Sequence, residues 1–162
     1  MMKNRFTAFL FITVFLLGSS SLMAQGENPF IGAWDIDFDE SDFGSATPPQ
    51  NMSRAYTDLG EGNYAYQVAT VSQDGTLNLS SAIYSYSGAE YPIVSFDELP
   101  EPARISYRRI GDTSVEYTVR VGGEVSQIGA KFISPNYQRL TISIQFPNSD
   151  QKDQVLVFNR RR

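Results

Sequence analysis

Apolar and polar residues alternate along most of the chain. In 32–39, Trp34, Ile36 and Phe38 share one face, and Asp35, Asp37 and Asp39 the other. In 113–121, Val115, Tyr117, Val119 and Val121 oppose Ser114, Glu116, Thr118 and Arg120. In 137–146, Leu140, Ile142, Ile144 and Phe146 oppose Arg139, Thr141, Ser143 and Gln145. A period of two with one apolar face predicts antiparallel strands, buried on one side and wet on the other. No stretch beyond residue 24 sustains a helical period.

Turn signals separate these runs: Gly60-Glu61-Gly62-Asn63, Asp74-Gly75, Ser87-Gly88, Gly111-Asp112, Gly122-Gly123, Pro135-Asn136 and Pro147-Asn148. Short strands joined by such pairs are the pattern of hairpins. The predicted strands are 32–39, 51–58, 63–71, 76–86, 92–96, 103–110, 113–121, 124–134, 137–146 and 152–160. In 76–86 the phase changes, since Leu77 and Leu79 have one parity and Tyr84 and Tyr86 the other. That predicts a β-bulge near Ser80-Ser81.

A meander of eight to ten strands must close or leave two bare edges. Closure gives an all-β fold, a single up-and-down antiparallel barrel, with a two-sheet sandwich as the alternative. A transmembrane barrel would need an apolar outer band and aromatic girdles. Here the outward faces carry Asp, Glu, Arg and Gln, and the chain ends in three Arg.

Residues 1–24 read as a secretory signal. Lys3 and Arg5 precede an apolar run, Phe6 to Leu17, then Gly18-Ser19-Ser20-Ser21 and a cut after Ala24. The run is shorter than the ~20 residues that span a bilayer. No Cys follows it, which leaves no lipid-attachment site. The expected mature domain is 25–162, periplasmic or secreted, without disulfides and without membrane insertion. Removing Lys3 and Arg5 leaves 11 of the 13 basic residues against 18 acidic ones, a net charge of −7. That balance argues against nucleic acid as a partner.

The chain has no His and no Cys. Ser-His-Asp and Cys-His catalysis and His-based metal sites are therefore excluded, and no catalytic, metal or cofactor-binding constellation is found. An enzyme working through carboxylates and Tyr is the least supported class. Asp35, Asp37, Asp39, Glu40 and Asp42 form an acidic run without the Gly and Glu of a Ca²⁺ loop, and read as a solvated face. Arg54 or the terminal Arg residues are expected to offset its repulsion across strands.

The nine tyrosines carry the binding argument. Tyr64 and Tyr66 share a face with Val68; Tyr107 shares one with Ile105 and, if alternation holds, Arg109; Tyr117 lies among inward Val residues. An interior of Tyr, aliphatics and Arg109 suits a small apolar or amphipathic ligand, with Arg109 meeting a carboxylate or phosphate. The competing readings are Tyr at the rim, and Arg109 turned outward or paired with Glu116.

Gly32-x-Trp34 on the first strand, a meander and a terminal Arg cluster resemble the lipocalin superfamily. That resemblance implies a Trp34 that closes one barrel end under Arg160, which otherwise is part of a solvated chain end. Nearer still is a family of small exported bacterial lipocalin-like proteins. Its members resemble this chain in Trp34, Ser41-Asp42-Phe43, Pro48-Pro49, Asp74-Gly75, Tyr91-Pro92, Arg109-Ile110 and Gly122-Gly123, in that order. The Thr-Asp-Tyr triplet and the disulfides of true lipocalins are missing. Ser41 and Phe43 read as turn and plug. The expected function is binding of a small, mostly apolar ligand. The alternative is a ligandless structural or protein-interaction module of the envelope. Oligomeric state is open.

Overall fold

A computed structural model describes residues 28–95 and 101–162. The signal segment and Phe96 lie outside the described residues. Eleven strands follow in chain order: β1 (Gly32–Asp42), β2 (Asn51–Gly60), β3 (Asn63–Val71), β4 (Leu77–Tyr84), β5 (Ser87–Pro92), β6 (Val94–Ser95), β7 (Ala103–Gly111), β8 (Ser114–Val121), β9 (Glu124–Ile133), β10 (Arg139–Gln145) and β11 (Gln154–Arg160). All pairings are antiparallel, in the order β5-β7-β8-β9-β10-β11-β1-β2-β3-β4-β6. β4 passes into β5 through Ser85 and Tyr86 alone, which brings the two ends of the sheet together. Tyr84 on β4 and Tyr107 on β7 meet across that seam, ring centroids 4.3 Å apart. The result is a nearly closed barrel rather than a sandwich.

Two predicted elements differ. The strand placed at 92–96 is instead β5, ending at Pro92, and the two-residue β6. Past Pro92 the Ile93 N–H still bonds the Ala103 carbonyl of β7 at 2.9 Å, and the chain then changes partner, with Val94 and Ser95 pairing Ser81 and Ser80 of β4. The bulge expected near Ser80-Ser81 is absent, since β3 and β4 pair in unbroken register from Tyr64↔Tyr84 to Val71↔Leu77. Leu77 points outward and is 55% exposed. Asn78 and Ser80 are the inward residues, half-buried. Hydrophobicity misassigned the face because this stretch of inner wall is polar.

One end of the barrel is sealed. Trp34 is fully buried beside Phe30, whose carbonyl accepts its indole N–H at 2.9 Å. The Arg160 guanidinium lies 4.1 Å from the indole centroid. It also donates to the carbonyls of Tyr137, Ile31 and Pro29, each at 2.7 Å. Gly32 is what lets it in: its φ is +126°, and a Cβ there would lie 2.7 Å from Arg160 Nη1. Below the indole, Val115, Leu140, Ile142 and Phe158 fill the interior.

The other end is open. Ser41 sits in the β1 irregularity between Asp37 and Asp42, where its hydroxyl donates to the Asp37 carbonyl at 2.6 Å and accepts the Val157 N–H at 2.9 Å. Phe43 stacks on Phe38, centroids 6.0 Å apart. The acidic run lies outside; Asp35 pairs with Arg161, and Glu40 with Arg139 at 3.6 Å. Arg54, expected on that outer face, points inward instead, because it shares the parity of Met52 and Tyr56. No metal-ligating cluster occurs among the described residues.

Candidate functional site

The open end leads into a hollow of about 500 Å³, lined by Phe43, Pro48, Met52, Thr70, Gln154 and Leu156. Further down the inner wall, Val68, Ser80, Val119 and Gln127 are half-buried, so this half of the barrel is not packed solid. Beneath it lies the tyrosine cluster. Tyr66, Tyr107 and Tyr117, three of the predicted ligand-facing residues, are all buried there together with Tyr56 and Tyr84. Tyr64 lies nearer the sealed end, its ring 5.0 Å from that of Tyr86.

Arg109 does not join them. It is exposed at the sealed end, where it donates to the Asn28 side-chain oxygen at 3.3 Å and covers the Tyr86 ring at 5.0 Å. Glu116 is taken by Arg108, at 2.6 Å. The inward parity of Arg109 holds, but at the last rung of β7 that direction leads to the barrel end, not into the hollow.

Two other cations occupy the interior. Lys131 on β9 lies in register between Val115 and Ile142, and is 3% exposed. Its Nζ donates to the hydroxyls of Tyr107 at 2.7 Å and Tyr56 at 3.0 Å. Four rings surround it, with centroids at 4.4 Å (Tyr107), 4.7 Å (Tyr56), 5.5 Å (Tyr117) and 5.6 Å (Tyr66). Burial, reinforced by the nearby Arg54 charge, holds this amine well below the usual lysine range.

Arg54 on β2 stands in register between Trp34 and Val68, its guanidinium 5.3 Å from the Phe158 centroid. Its Nε is enclosed and has no hydrogen-bond partner. Among the described residues, no ion pair joins either cation to a carboxylate. Burial raises the phenols of Tyr66, Tyr84, Tyr107 and Tyr117 above the ordinary tyrosine value, so they stay neutral hydrogen-bonding groups. Gly129 lets the Tyr117 ring lie against β9, where its hydroxyl donates to the Ser143 carbonyl at 3.3 Å. A Cβ at 129 would sit 2.7 Å from that hydroxyl.

Sequence reasoning passed over Lys131 and turned Arg54 outward, because a single cation in a strand reads as solvent-facing. The usable signal was parity: Lys131 alternates with Gly129 and Ile133, and Arg54 with Met52 and Tyr56. The assembled site is a cup with a mixed apolar and polar mouth and a cationic, phenol-rich floor.

The nearly closed antiparallel barrel is a fold shared with solved proteins. It is similar to a Schistosoma mansoni fatty acid binding protein in complex with arachidonic acid, with TM-score 0.57 and 8% identity over 83% of this chain and 97% of that one. It is equally similar to a single-residue mutant of the fluorescent protein UnaG, with TM-score 0.57 and 14% identity over 83% and 97%. Rv2717c from M. tuberculosis follows, with TM-score 0.51 and 13% identity over 83% and 94%. No protein-family model matches the chain, and neither does any curated protein.

Proposed function

We propose that this protein is an exported, non-catalytic barrel that binds one small, mostly apolar ligand in the open half of its interior. The observation that carries this reading is the division of the barrel: one end is filled with side chains, and the mouth of the other opens on a hollow of about 500 Å³. That size and its mixed lining suit a drug-sized or lipid-sized molecule. A fold-level neighbour holds a fatty acid, which agrees with this use of the architecture. The signal-like leader supplies the export part of the reading, which places the barrel in the periplasm or outside the cell.

The test is fluorescence titration of the mature protein with the neutral apolar probe N-phenyl-1-naphthylamine. Saturable enhancement at one site, lost in Val68→Trp, supports the reading. No enhancement in a folded wild-type protein overturns it. A second reading, an interaction module, has one observation in its favour: Leu77, Ile83 and Val94 stand 55%, 60% and 62% exposed on β4 and β6.

A further inference from the structure

We propose that Arg54 and Lys131 together hold the single anionic head group of an amphiphile, and that its binding carries a proton onto Lys131. This rests on the ligand-binding reading above and names the ligand class.

Position comes first. Met52 and Leu156 belong to the lining of the hollow. Two residues further toward the sealed end, on the same inner faces, stand Arg54 and Phe158, with the guanidinium over the ring. A ligand that fills the hollow tail-outward therefore brings its head to Arg54. Lys131 reaches the same level from β9 on another wall, and the Tyr56 hydroxyl accepts its hydrogen bond.

Charge comes second. A guanidinium stays protonated at any ordinary pH. Arg54 is half-buried with its Nε enclosed, and enclosing a guanidinium even in part without a counter-charge is costly, so such a group is normally paired. Here the groups facing the pair are Tyr56, Tyr66, Tyr107 and Tyr117, all neutral, and Arg54 leaves its Nε without a partner. The chain as a whole carries −5, so this positive floor opposes the sign of the molecule. One carboxylate on Arg54 would supply the missing charge. It would also offset the Arg54 charge that adds to burial in holding the Lys131 amine low, so Lys131 would gain a proton from solvent as the acid docks. The acidic exterior and the one permanent cation favour a monoanion over a phosphate dianion.

The experiment compares dodecanoic acid, 1-dodecanol and dodecyl phosphate by displacement of N-phenyl-1-naphthylamine. Calorimetry of the acid in two buffers of different ionisation enthalpy counts protons. The acid is expected to bind about tenfold or more tightly than the alcohol, the gain of one charge-assisted contact. Arg54→Met should erase that ratio while the alcohol still binds. Lys131→Met should keep a preference for the acid but abolish proton uptake. Near-ultraviolet circular dichroism checks that each variant is folded. If the acid and the alcohol bind the wild-type protein equally, the head-group site is wrong and the ligand-binding reading stands. If no chain binds, both fall. Acid selectivity without proton uptake overturns the role given to Lys131, and tighter binding of the phosphate overturns the monoanion.

Discussion

The two halves of the barrel solve opposite problems with the same strands. Toward the sealed end, inward positions hold Trp34, Leu140, Ile142, Tyr84 and Phe158, each at or near zero exposure. Toward the open end, Ser80 on the strand of Tyr84, and Val68, Val119 and Gln127 on β3, β8 and β9, turn inward, and all of these stay half-buried. Large rings on facing strands fill a barrel, whereas small and polar residues leave it hollow. Stability is thus concentrated at one end, and the other is left free for a ligand. Between them sits a layer that serves neither purpose well: two cations in a nest of phenols.

The largest expected effect tests the sealed half. Trp34→Ala removes a fully buried ring, its hydrogen bond to Phe30 and the surface under Arg160, and should cost about 3–5 kcal/mol in urea unfolding. A loss below about 1 kcal/mol would mean that the sealed half does not anchor the fold.

Gly129→Ala should cost about 1–3 kcal/mol, because the added methyl collides with both the Ser143 carbonyl and the Tyr117 hydroxyl, and both must shift. Chemical denaturation and the near-ultraviolet tyrosine signal would both register it.

Lys131→Met acts in the opposite direction. Replacing a buried amine that has no counter-charge by an apolar side chain should stabilise the empty barrel by about 1–2 kcal/mol. The pH dependence carries the same signature. The folded-state value of Lys131 lies well below the unfolded 10.5, so between the two the unfolded chain binds the extra proton and stability rises with pH. Above pH 10 the buried tyrosines reverse the slope, since they ionise only in the unfolded chain. Melting temperatures across alkaline pH should trace that maximum in the wild-type protein, and the rising limb should vanish in Lys131→Met.

Val68→Trp is the smallest change in stability, about 1 kcal/mol or less, because Val68 is only half-buried at the edge of the core. It should nevertheless abolish probe binding, which would separate the two halves by function alone.

The strands and their closure were legible because alternation is a short-range signal: Val115, Tyr117 and Val119 announce their face without any tertiary information. The inner wall of the open half was not, because it breaks the rule that inside is apolar. Leu77 and Leu79 pulled that face the wrong way, and Asn78 and Ser80 concealed it. Arg109 was assigned the correct parity but the wrong depth, because alternation fixes a face and not a height along the barrel axis. Lys131 and Arg54 were hidden for the same reason as Asn78: a site that violates core composition looks like surface until the register is known.

The connection from β1 to β2 is short and holds Pro48 and Pro49, and it forms part of the rim of the open mouth. A rim stiffened by two adjacent rings has little freedom to fold over an occupant. Entry would then not wait for a slow opening event, and capture should proceed near the rate set by encounter. Discrimination among ligands would fall almost wholly on residence time, that is, on how long the floor of the cup can hold a head group before solvent reclaims it.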